Sequence, residues 1–169
     1  MNKLIASFQV DHTRIGYGIF VSRRDIVNGA YITTFDIRMK RPNVEPVIHP
    51  DAMHTIEHVV ATYLRNSSFK DHVVYWGPMG CLTGFYFITN TAHAIQPREI
   101  EKLMRAAFRH QANYCGSVPG ATPVNCGNYL LHNLPMAKYE ARTFLKREWA
   151  FTYPPAKRAK AGSRTFFDA

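Results

Sequence analysis

The segment HTIEH, residues 54–58, sets His54 and His58 four positions apart with Glu57 between them. On a helix, residues i and i+4 project from one face, so both imidazoles can converge on one cation while Glu57 lies at the edge of that face. Two imidazoles are too few for a stable site, and a catalytic centre draws a third protein ligand from elsewhere while keeping a position open for water. Cys126, in the segment NCG, is the strongest candidate. A thiolate is a good donor to zinc or ferrous iron, and the glycine beside it lets the backbone bring the sulfur close. The constellation predicts a His2Cys centre with Glu57 as general base and acid beside it. The bland reading is that histidines at this spacing only pack or face solvent.

Cys81, in PMGCLTGF, has two readings: a catalytic thiol brought close to a ligand by its flanking glycines, or a small buried apolar residue. Ser7, Asp11 and His12 form a polar cluster in SFQVDHTR, a pattern common in turns and on surfaces. Arg38 sits in an otherwise apolar strand and therefore needs a carboxylate or an anionic ligand. Cys115 and the histidines His49, His72, His93, His110 and His132 have no comparable neighbourhood, and are read as surface or satisfied core residues.

These residues need a scaffold, and the pattern supplies one. Residues 31–39 alternate apolar and polar positions as a half-buried strand does, with Phe35, Ile37 and Met39 facing the core. Pro50 and Asp51 open a helix over 51–65 that carries HTIEH. Residues 72–75 and 83–89 are strands flanking the tight GPMGC turn, where glycine permits the reversal. Residues 97–113 form a second amphipathic helix, 114–127 an irregular loop rich in glycine and proline, and 136–149 a last helix. An antiparallel sheet with helices packed against it accounts for this order, giving an α+β domain over 1–152. Residues 153–169, with Lys157, Arg158, Lys160 and Arg164, read as a basic, loosely docked tail.

The chain has 169 residues, 46% hydrophobic content and a formal net charge of +9. That length fits one domain, and removing the tail still leaves +6, so the basic excess belongs partly to the domain surface. Three cysteines, an odd count, argue for thiols in a reducing, cytoplasmic compartment rather than for a disulfide framework. The opening residues carry neither the apolar core of a signal peptide nor a membrane span.

Taken in order, SFQVDHTR, FDIR, HTIEH, PMGC-x-TGFY, NCG and LH-x-L, over residues 7–134, resemble the S-ribosylhomocysteine lyase (LuxS) family. The resemblance implies a two-layer sandwich of the LuxS and metallopeptidase kind. It also implies cleavage of S-ribosylhomocysteine to homocysteine and 4,5-dihydroxy-2,3-pentanedione, the autoinducer-2 precursor. His54, His58 and Cys126 would bind one divalent metal, natively Fe(II), with zinc or cobalt as substitutes. Glu57 and Cys81 would be the acid–base pair, while Ser7, His12 and Arg38 would line the substrate pocket of a homodimer with its active sites at the interface. One departure stands out: Tyr75-Trp76-Gly77 replaces the family's usual Asp-Ile-Ser, whose Asp helps bind substrate.

Two other readings compete. HTIEH also fits the H-x-x-E-H signature of inverted zincins, with Glu140 or Glu148 in place of Cys126 as third ligand. A non-catalytic relative whose tail meets nucleic acid or membrane would use the positive charge, but Phe166 and Phe167 are too few to stack single strands, and no nucleic-acid or membrane partner is expected.

Overall fold

A computed structural model describes residues 10–154. Four strands, β1 (Gly18–Val27), β2 (Ala30–Arg38), β3 (Val73–Pro78) and β4 (Gly84–Thr91), form one antiparallel sheet in the order β1-β2-β4-β3. Three helices, α1 (Pro50–Arg65), α2 (Pro97–Asn113) and α3 (Leu134–Leu145), pack on it, giving the expected α+β architecture. Strand β1 is absent from the sequence reading, because its second half, SRRDIV, is charged and exposed as befits an edge strand and so lacks an apolar period. The last helix runs from Leu134 rather than 136 and ends at Leu145 rather than 149. Its start is fixed by Asn133, whose side chain accepts the Met136 amide at 3.0 Å.

The sheet has two distinct faces. Ile19, Phe35, Ile37, Phe85 and Phe87 are fully buried beneath the helices, and Trp76 stacks on Phe85 at 4.7 Å. Alternation sends Asp36, Arg38 and Tyr86 to the opposite face. Helix α1 buries Ala52, Met53, Ile56, Val59, Val60 and Leu64, so His54, Glu57 and His58 occupy its remaining side. Most of the stability of such a helix comes from tertiary packing of its apolar face. Its burial of several large side chains, at about 1.5–3 kcal/mol each, is what holds the histidine pair in register.

Two local devices hold the β3–β4 turn against the rest. Gly84 is obligatory because a Cβ there would run into the Ile37 carbonyl oxygen. The left-handed position in the turn belongs to Leu82, at φ 57°, and not to a glycine as expected. The Leu82 carbonyl accepts the Ile48 amide at 3.0 Å, which offsets the strain of that conformation.

Behind β2, Lys40 and Glu140 form a buried ion pair at 2.7 Å that ties the sheet to α3. Truncating one partner leaves the other charge buried without compensation. Glu140→Ala is therefore expected to cost about 3–5 kcal/mol, read as a lowered urea midpoint with unchanged slope.

Candidate metal centre and thiol cluster

The N-terminal half of α1 meets the loop 114–133 at the histidine pair. His54 Nδ1 donates to the Leu131 carbonyl at 2.9 Å, and His58 Nδ1 to the Pro119 carbonyl at 2.7 Å. Each bond fixes a tautomer and leaves Nε2 bare, the arrangement found in metal-ligating histidines. Cys126 Sγ lies 3.3 Å from His54 Nε2. The loop is pinned by Thr55 Oγ1, which accepts the Asn133 amide at 2.9 Å, and by Asn133 Nδ2, which reaches Asp51 Oδ2 at 3.2 Å.

The sulfur's approach does not depend on Gly127, which has open space where a Cβ would stand. It follows from the Cys126 amide bonding to the Thr122 carbonyl at 3.0 Å and from the Asn128 amide donating to the sulfur at 3.4 Å.

One member of the cluster is a correction. His132, read from sequence as an ordinary surface or core histidine, stacks on His54 at 4.2 Å. Ligand atoms of His54, His58, Cys126 and His132 all lie within 4.8 Å of one another. Burial, then the His54 and His58 imidazoles, push the His132 pKa below its ordinary value. Its only signal in sequence is its place in LH-x-L, six residues after Cys126.

The donor set fits a borderline or soft transition metal: bare imidazole nitrogens and a thiol. Glu57 lines the two cavities that flank the histidines. One, about 320 Å³, is shared with His54, Pro78, Leu82 and Asn128, and the other, about 350 Å³, with His58, Pro119 and Asn125. The peptidase reading loses its third ligand, since Glu140 is bonded to Lys40 and neither it nor the exposed Glu148 joins the cluster.

A second polar cluster lies on the far face of the sheet. Arg38 is buried and finds its carboxylate two residues away, with Nε and Nη2 on Asp36 at 3.0 and 2.5 Å. Its Nη1 donates to Thr83 Oγ1 at 2.5 Å and lies 3.7 Å from Cys81 Sγ. Cys81 is exposed, which removes its reading as a core residue, and its sulfur is 3.0 Å from Thr83 Oγ1. Burial opposes ionisation of this thiol, but the Thr83 hydrogen bonds and the Arg38 charge outweigh it, so the Cys81 pKa falls below its usual value.

His12 Nδ1 donates to the Val10 carbonyl at 2.8 Å, and the ring lines a water-sized cavity with Asp36, Arg38, Tyr86 and Tyr153. Ser7 lies outside the described residues. Among the described residues no hydrogen bond joins the thiol cluster to the metal cluster, and the water-sized cavity beside Arg38 shares no lining residue with either cavity beside the histidines. The divergent Tyr75 is half exposed on edge strand β3, and its ring covers Gly77, where a Cβ would collide with it.

The S-ribosylhomocysteinase (LuxS) family model matches residues 5–152. An S-ribosylhomocysteine lyase of Porphyromonas gingivalis is 54% identical over 143 residues, covering 84% of this chain and 89% of that protein. One from Phocaeicola vulgatus is 54% identical over 144 residues, 85% and 88% of the two chains. A Clostridium beijerinckii lyase is 47% identical over 142 residues, 83% and 88%.

Proposed function

Since this chain belongs to the S-ribosylhomocysteinase (LuxS) family, we propose that its metal cluster and its thiol cluster are the two halves of one lyase site. The protein is a carbon–sulfur lyase that cleaves S-ribosylhomocysteine to homocysteine and 4,5-dihydroxy-2,3-pentanedione. The observation that carries the site assignment is the convergence of the His54, His58 and Cys126 ligand atoms, with Glu57 lining the cavity beside each histidine.

Moving a carbonyl along the sugar chain requires removing a proton from the carbon beside it and returning one to the former carbonyl carbon, while the hydroxyl proton passes from one oxygen to the other. The final β-elimination removes one more proton and expels the homocysteine thiolate. His54, His58 and Cys126 would hold one divalent ion, natively Fe(II), with zinc or cobalt able to substitute. When bound, the ion supplies Lewis acidity that stabilises negative charge on the sugar oxygens. Glu57 takes and returns protons on the metal side. Cys81, whose thiol pKa is lowered by the Thr83 hydrogen bonds and the Arg38 charge, acts from the other side. Arg38 and His12, with Ser7, bind the substrate's polar groups.

A homodimer unites the halves, the thiol cluster of one subunit facing the metal of its partner. The separation of the two clusters within one chain and the exposed apolar side chains Val124, Tyr129 and Leu130 on the metal loop support this reading. Unpaired Cys81, Cys115 and Cys126 fit a reducing, cytoplasmic setting, and among the described residues no helix is long and apolar enough to cross a membrane.

The test is thiol release from S-ribosylhomocysteine by protein loaded anaerobically with ferrous iron or cobalt, followed with a thiol-reactive dye against a metal-stripped control. Release is expected only with metal. Its absence from fully loaded protein would transfer the site to another substrate, Tyr75 being the first residue to examine.

A further inference from the structure

Tyr153 stands one residue past the stretch matched by the family, where the basic C-terminal run begins, yet it is firmly seated on the sheet. Its ring stacks on Phe20 at 4.7 Å with an interplanar angle of 8°. Its hydroxyl donates to Asp36 Oδ2 at 3.0 Å. That oxygen also receives Arg38 Nη2, so the buried carboxylate is gripped from both sides.

The consequence passes along the chain of contacts. With Asp36 fixed, the planar fork of Arg38 has its Nε and Nη2 occupied, and Nη1 is left pointing at the β3–β4 turn. There it meets Thr83 Oγ1 and the Cys81 sulfur. Take away the Tyr153 hydroxyl, and among the described residues Asp36 retains only Arg38 to satisfy a buried carboxylate. The pair is then free to re-orient, and Nη1 swings off the turn. The groups facing this network are Asp36 and Arg38 from β2, Tyr86 from β4, His12 from the N-terminal segment and Tyr153 itself.

We propose that Tyr153 is a positioning residue for the Cys81 thiol, acting through Asp36 and Arg38. Its effect on turnover rests on Cys81 being the acid–base thiol proposed above, but its effect on thiol reactivity does not.

The experiment compares the full-length, metal-loaded protein with Tyr153→Phe, which keeps the stacked ring and removes only the hydroxyl. Alkylation of Cys81 by iodoacetamide, located by peptide mass, is followed against pH. The variant is expected to show a midpoint shifted upward and a rate at neutral pH about fivefold lower, the scale of one hydrogen bond, with metal content unchanged. Phe20→Leu, which weakens the stack and keeps the hydroxyl, is expected to leave the midpoint where it is. An unmoved midpoint in Tyr153→Phe, or an equal shift in Phe20→Leu, overturns the proposal. If the midpoint moves as expected while the native protein releases no thiol from S-ribosylhomocysteine, the positioning role stands and the lyase assignment falls.

Discussion

Cys126→Ala and His54→Ala lose their metal, and lyase activity falls to that of the stripped protein. The expected loss of affinity is more than about a hundredfold, beyond the 10–100-fold that a change outside the ligand shell produces. The contrast that gives this result its force is His132→Gln. Although His132 belongs to the same cluster, its ring lies over that of His54 at 4.2 Å and within 18° of parallel. An imidazole donates through a lone pair in its own ring plane, so two stacked rings aim their lone pairs along separate planes. His58 stands steeply to both rings, at 88° to His54 and 74° to His132, so the choice between the stacked pair rests on the Cys126 sulfur, which lies 3.3 Å from His54 Nε2. His132→Gln is therefore expected to keep its metal within about tenfold of the parent. Metal content after dialysis against a graded chelator series reads all three variants. Full occupancy in Cys126→Ala would sink the ligand assignment, and metal loss in His132→Gln would promote that residue to a ligand.

The histidine pair was legible in sequence because helical spacing translates directly into a shared face. Cys126 was legible by chemistry, as a thiol in the NCG segment of a turn-rich loop, although Cys115 stands in the same loop. His132 was not, because its role depends on how the loop 114–133 folds back onto Thr55 and Asp51, a contact between segments some eighty residues apart. The same limit applies across the sheet. Arg38 announced its need for a carboxylate, and period-two alternation put Asp36 on its face. The assistance of Tyr153, from 117 residues away, could not be read from local pattern. Strand β1 went unread for the opposite reason: an edge strand buried only at its first three residues and charged beyond them carries too little apolar period to be recognised. Local chemistry was thus easier to read than the long-range contacts that aim it.

Glu57→Gln tests the chemistry rather than the scaffold. Among the described residues the Glu57 carboxylate has no hydrogen-bond or ion-pair partner, and it faces the two cavities beside the histidines. An amide of the same shape therefore removes no structural contact, and the variant is expected to keep both its metal and its thermal midpoint. What it removes is a group able to accept a proton, and general acid–base catalysis contributes about 10²–10⁴-fold. The fall should appear in kcat with little change in KM, since substrate binding is assigned to residues on the other cluster. Exchange of the substrate's carbon-bound protons with deuterated solvent gives a second readout, which precedes thiol release. Loss of exchange together with loss of release places Glu57 at the proton abstractions that move the carbonyl. Exchange retained without release would confine it to the elimination, and near-normal turnover would assign the protons to another group.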